Sequence, residues 1–156
     1  EMRTAKEINV PDNNLRKLLN EKLGEKLGTT RTANQKITDV ELEKLTDLNL
    51  DNSNITDLTG IEAAKNLKNL SLNHNSISNL SPLAGLTSLK TLSLKENAIA
   101  DISPLSGIIR SLTSLNLEDQ RITVKPNDKS FVSPLRVISG VAISRCHQRH
   151  SNPWKY

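Results

Sequence analysis

The segment LKNLSLNHNSISNLSPLAGL, Leu67 to Leu86, returns almost unchanged as LKTLSLKENAIADISPLSGI, Leu89 to Ile108. Aligned on leucines, two further copies join them, LTDLNLDNSNI from Leu45 and LTSLNLEDQRI from Leu112, so that the steps are 22, 22 and 23 residues. A single copy has no second layer against which to bury its leucines, whereas stacked copies share one continuous core. The period therefore points to a solenoid with an extended, regular face.

Each copy reads L-x-x-L-x-L-x-x-(N)-x-I, the leucine-rich repeat signature, whose period lies between about 20 and 29 residues. The L-x-L alternation places both leucines on one side of a short strand and polar residues on the other. The turn that follows leaves backbone groups facing the interior, where an amide side chain can both donate and accept. Asn75 and Asn97 occupy that place, with Ser53 and Gln120 in the outer copies, so the expected structural ladder is imperfect at its two ends. In the returning half, Ile77, Leu80, Leu83, Leu86 and Leu89 are the candidate core, and Pro82 and Pro104 break regular helix in favour of extended or short 3₁₀ connections.

An open solenoid end exposes leucines, so caps are expected. Upstream, Asp12 is a candidate helix N-cap, followed by Leu15, Leu18, Leu19 and Leu23 at helical spacing. Thr38 and Glu41 have capping-box spacing for a second short helix, with Val40, Leu42 and Leu45 able to face inward. The link between them, GTTRTANQK, reads as polar and turn-like. The predicted fold class is an α/β solenoid: a right-handed leucine-rich repeat superhelix of 22-residue repeats, with short parallel strands and an N-terminal helical cap. The predicted divisions are a helical cap over residues 8–44, four strand positions over 45–122, and a C-terminal junction and atypical tail over 123–156.

The formal net charge of +4 is unevenly placed. Residues 123–156 carry six basic side chains against Asp128 alone, which leaves the repeat region and its cap near neutrality. The basic balance thus implies no nucleic-acid groove. No apolar run approaches the roughly 18 residues of a membrane span, and no secretory signal opens the sequence. Lone Cys146 permits no internal disulfide.

The stretches INVPDNNLRKLL, ITDVELEKLTDLNLDNSNITDLTGIE and ISNLSPLAGLTSLKTLSLKENAIADISPLSGI resemble bacterial surface proteins of the internalin type. The resemblance covers residues 8 to about 125. It implies a curved solenoid with parallel strands on the concave side, displaying a protein-binding surface outside a Gram-positive cell. LNLEDQRIT resembles the junction where internalins pass into an immunoglobulin-like domain, but FVSPLRVISGVAISRCHQRHSNPWKY does not continue the likeness, and no LPxTG-type sorting signal is present.

The outward residues of each strand form columns across the stack, about 4.8 Å apart. One runs Asp47, Asn69, Thr91, Ser114; the next Asn49, Ser71, Ser93, Asn116; the third Asp51, Asn73, Lys95, Glu118. This concave face is the candidate protein-binding site. All its members are polar and most are small, whereas binding hot spots are rich in Trp, Tyr and Arg. The chain's aromatics are Phe131, Trp154 and Tyr156, all in the tail. The composition thus fits a solvated face of near-consensus residues better than a hot-spot surface, yet no better site is offered.

Other chemistry is poorly supported. Cys146, His147 and His150 are metal-competent types without the paired spacing of a structural zinc site. His74 reads as an exposed, uninvolved imidazole. No nucleophile elbow or phosphate loop occurs. The reading is therefore of a non-enzymatic, cofactor-free monomer with no catalytic or metal site. It neither binds nucleic acid nor inserts in a membrane, and it meets a protein partner of unknown identity, a host protein among the candidates, at the cell surface or after secretion. Two alternatives stand beside it: a structural spacer for a neighbouring domain, and an intracellular scaffold like the repeat subunits that regulate protein phosphatases. The tail is expected not to form a fifth repeat; residues around Val132–Ile143 are expected to fold back as an improvised cap.

Overall fold

The computed structural model describes residues 3–122 together with the backbone of Ala142–Ile143. The four repeated L-x-L segments are strands of three residues each, β3 (Asp47–Asn49), β4 (Asn69–Ser71), β5 (Thr91–Ser93) and β6 (Ser114–Asn116). They pair in parallel and in the register the leucine alignment requires, Leu48 beside Leu70, Leu92 and Leu115. Leu48, Leu70, Leu92 and Leu115 point inward from the strands, and Leu50, Leu72, Leu94 and Leu117 follow them into the same core.

The strands are short because the backbone leaves the sheet at a fixed place. Asn52, His74, Glu96 and Asp119 all have φ between 53° and 57°. That left-handed conformation is unfavourable for a residue with a side chain, least so for Asn and Asp. One such residue at the equivalent place in each coil turns the chain inward toward the ladder position, and the first coil adds a second, Asn54, with φ 51°. The returning halves are loosely helical: 3₁₀ turns form at Ile61–Ala63, Ser81–Leu83 and Ser103–Gly107, with proline in the first turn of the last two. The extra residue of the 23-residue step falls in this outer half, where the third turn runs for five residues instead of three. Ile77, Leu80, Leu83, Leu86 and Leu89 are all fully buried.

The ladder position joins successive coils. Asn75 accepts from the N–H groups of Ser53 and Ile55, both at 3.0 Å, and donates to the carbonyls of Leu50, Leu72 and Asn73. Asn97 accepts from Ile77 N–H and donates to Leu72, Leu94 and Lys95. The expected imperfection at both ends needs correction at one of them. Gln120 is fully buried, accepts from Ile99 N–H and donates to Leu94, Leu117 and Glu118, the same set one coil further on. Its extra methylene is accommodated without losing a bond. Ser53 does depart, since among the described residues its hydroxyl reaches only Asp51 O, at 2.7 Å.

The N-terminal segment shares this core. Strand β1 (Glu7–Ile8) pairs antiparallel with β2 (Ile37–Thr38), a small ribbon that the periodicity did not signal. Helix α1 (Asn13–Leu27) buries Leu15, Leu19 and Leu23, and α2 (Asp39–Leu42) buries Leu42. All four belong to one hydrophobic cluster that extends to Leu117, with Leu18 packed at its border. Asp12 caps α1, and its other oxygen accepts from Thr56 and Asp57, so one carboxylate ties the helix start to the first repeat. Thr38 and Glu41 form the reciprocal capping box. The polar link is pinned: the Arg31 side chain meets Glu41 at 2.6 Å and Asn20 at 2.9 Å, while buried Asn20 donates to Ala33 and Gln35. Gly60, with φ 104°, lets the β1 segment close on the first repeat, since a Cβ there would lie 2.7 Å from Asn9 O and from Val10 Cγ2.

Strand β7 (Ala142–Ile143) adds to the sheet parallel to β6, Ser114 beside Ala142 and Leu115 beside Ile143. The sheet order is therefore β3-β4-β5-β6-β7. The tail was not expected to continue the solenoid, and 28 positions separate Leu115 from Ile143, so this pairing extends the sheet outside the repeat spacing. The rest of the proposed fold-back, from Val132 onward, lies outside the described residues.

Candidate functional site

The pairing register brings two of the three columns together as read, while Asp51, Asn73, Lys95 and Glu118 follow the strand ends. Asp47, Asn69, Thr91 and Ser114 lie side by side, and so do Asn49, Ser71, Ser93 and Asn116. They line an open concavity of about 570 Å³. Its wall on the N-terminal side was not foreseen: Lys22 and Glu25 of α1, 3.9 Å apart, reach the same hollow. Both lie between the buried leucine stripe of the helix and solvent, a placement that becomes informative only once α1 is docked.

The face bonds to itself. Asn69 donates to Asp47 and accepts from the Thr91 hydroxyl, the latter at 2.6 Å. These hydrogen bonds from Asn69 and then Thr46, with the nearby charges of Lys68 and Lys26, hold the Asp47 carboxyl below the usual carboxylate range. Asp51 accepts from the Ser71 hydroxyl and Asn73 N–H; Asn73 in turn accepts from the Ser93 hydroxyl and Lys95 N–H. Asn49 and Asn116 accept from Asp51 and Glu118 N–H respectively. Much of the polar capacity that a partner would read is thus already used within the face.

At the rim where the strands end, His74 is not the uninvolved imidazole expected. Its Nδ1 lies 2.6 Å from Glu96 Oε2, because both occupy the left-handed position of adjacent coils. Arg121 crosses the same rim, its guanidinium donating to Asn75 O and Glu96 O while its N–H meets Asn97 O. Nothing in the repeat pattern singles Arg121 out, since the corresponding earlier residues are Asn54, Ser76 and Ala98.

Among the described residues no three His, Cys, Asp or Glu side chains gather as a metal site, and no helix is long and apolar enough to cross a membrane. Cys146, His147, His150 and the tail aromatics lie outside the described residues.

Residues 65–107 match the family model for leucine-rich repeats in two copies. Among solved structures, the chain is similar to the internalin InlF from Listeria monocytogenes, at 30% identity and TM-score 0.63, covering 74% of this chain and 32% of that one. It is similar to the functional domain of InlJ from the same organism, which includes a cysteine ladder, at 27% identity and TM-score 0.60, over 92% of this chain and 30% of that one. The structure of the CBM51-2 and INT domains of ZmpB from Clostridium perfringens is similar at 35% identity and TM-score 0.50, over 64% of this chain and 20% of that one. The chain thus spans a third or less of the length of these three structures. No curated protein matches it in sequence.

Proposed function

The repeats of this chain are leucine-rich repeats of the internalin type, and from that premise we propose a non-enzymatic protein–protein interaction module whose concave strand face meets the partner. In this reading residues 8–44 are the N-terminal cap, residues 45–122 are 22-residue repeats wound right-handed, and 123–156 form the C-terminal junction. The module acts as a monomer of a secreted or surface-displayed protein, as the internalin likeness implies. The observation that carries it is the open hollow across β3–β6, walled on one side by Lys22 and Glu25. Such a surface admits another protein's side chains, while nothing in it is arranged for a covalent step.

The spacer reading has its own support, namely the self-bonded polar face and its lack of aromatics. One experiment separates the two. Binding partners are recovered from the native setting with the full chain and with a Ser71→Arg/Ser93→Arg double variant, which fills the centre of the hollow. An interaction module loses its partner by about a hundredfold or more when bulk and charge occupy a buried contact. Retention at full affinity by the double variant supports a spacer.

A further inference from the structure

The concave face repeats one hydrogen-bond device and then breaks it. Asp51 Oδ1 accepts from the Ser71 hydroxyl at 2.7 Å and from Asn73 N–H at 2.8 Å. One rung on, Asn73 Oδ1 accepts from the Ser93 hydroxyl at 2.7 Å and from Lys95 N–H at 2.8 Å. The next rung needs an acceptor on residue 95, and a lysine side chain has none. Glu118 N–H turns instead to Asn116 Oδ1 of its own strand, at 2.9 Å. Among the described residues, the Lys95 ammonium and the Glu118 carboxylate are left without a partner, although both side chains are half-buried.

The acceptors of the two earlier rungs are already occupied, whereas these two charged groups stand open to pairing among the described residues. A partner that docks on the earlier rungs must compete with bonds already made. At Lys95 and Glu118 it meets groups that gain from being paired. We propose that Lys95 and Glu118 are the specificity-determining contacts of the concave face, engaged by a protein that sets a carboxylate against Lys95 and a guanidinium or ammonium against Glu118. Adjacent rungs lie about 4.8 Å apart. That spacing matches opposite charges one turn apart on a helix or facing across a strand pair. The mixed sign disfavours a polyanion such as nucleic acid. The proposal rests on the concave-face reading above.

Two measurements test it on the full chain. Lys95→Asn places at the broken rung the residue found at position 73, restoring an acceptor for the Asn116 side-chain amide in the way Asp51 and Asn73 accept from the Ser71 and Ser93 hydroxyls, while Glu118 N–H keeps Asn116 Oδ1. The melting temperature should rise by about 2–4 °C, the shift that one hydrogen bond gives a domain of this size. An unchanged or lower melting temperature overturns the claim that Lys95 interrupts a stabilising ladder. In parallel, a random phage-displayed peptide library is selected on the wild-type chain. Selected peptides should carry both an acidic and a basic residue, and should lose about tenfold or more in affinity on Lys95→Asn or Glu118→Gln, as for a close charge pair. Peptides blocked by Ser71→Arg/Ser93→Arg but indifferent to Lys95→Asn and Glu118→Gln overturn this assignment and leave the concave face as the site. Peptides indifferent to all of these variants overturn both.

Discussion

The inner and outer sides of the same strands follow different rules. Inside, Asn75, Asn97 and Gln120 repeat one bonding pattern, each binding backbone groups of two successive coils. Outside, the residues two positions before the ladder change from Asp51 to Asn73 to Lys95 to Glu118, and the bonding changes with them. The inner groups face backbone donors and acceptors that are the same in every coil, so the chemistry required there is fixed. The outer groups are half-buried at the edge of water and bond to one another's side chains, so the chemistry required there varies with the neighbour and single substitutions cost less than in the ladder. Stability is therefore concentrated on one side of the sheet and freedom to diverge on the other.

The contrast can be pressed hardest where the N-terminal segment joins the stack. Leu19 is fully buried between α1 and the repeats. Leu19→Ala should cost about 2–5 kcal/mol, the usual range for a cavity at a buried leucine. A urea-unfolding midpoint close to wild type would show that α1 does not share the core of the repeats.

A smaller effect is expected at Asp12. Burial opposes its ionisation, but the N–H groups of Thr56, Leu15, Asp57 and Asn14 outweigh it and hold the carboxyl below its ordinary value. A carboxyl depressed in the folded state adds stability that is present above its unfolded pKa of about 3.9 and lost as the pH falls through the lower folded value. Unfolding titrations between pH 6 and 2 should show stability falling below about pH 4, and less steeply in Asp12→Asn than in wild type. At neutral pH, Asp12→Ala should cost about 1–2 kcal/mol as a lost helix cap. Parallel acid limbs for Asp12→Asn and wild type would remove Asp12 from this role.

The smallest effect is set by Ser53, whose half-buried hydroxyl makes one hydrogen bond among the described residues, to Asp51 O. Ser53→Ala should cost less than about 1 kcal/mol, the worth of a single ordinary hydrogen bond. A loss equal to that of Asn97→Ala would mean that the end of the ladder carries as much as its middle.

How far the sequence disclosed this arrangement depends on what sets each feature. Strand register and the buried returning half were legible because leucine spacing alone decides which residues face inward. The Thr38–Glu41 box was legible because capping is local. The β1–β2 ribbon was not, since two residues are too few to show a period. Nor was the role of Gly60, which depends on how closely Asn9 and Val10 approach from elsewhere in the chain. The ladder was expected to be imperfect at Gln120 because residue identity stood in for reach, whereas its amide makes the same bonds as Asn97. Alternation placed the first two columns side by side on the paired strands, but the break at Lys95 in the third emerged only from the hydrogen bonds of its neighbours. His74 illustrates the same limit: its partner Glu96 sits 22 residues away, at the equivalent turn of the next coil.

The division between a fixed inner side and a permissive outer side is tested most directly by paired urea unfolding of Asn97→Ala and Ser93→Ala, two substitutions four residues apart on opposite sides of one coil. Removing the Asn97 amide leaves the buried Ile77 N–H without its acceptor and takes one donor each from Leu72 O, Leu94 O and Lys95 O, which keep Asn75, Gln120 and His74 N–H respectively, and this predicts a loss of about 1–3 kcal/mol. Removing the Ser93 hydroxyl breaks one half-buried bond to Asn73 and should cost less than about 1 kcal/mol. Equal losses, or a larger loss from Ser93→Ala, would contradict the assignment of stability to the inner ladder.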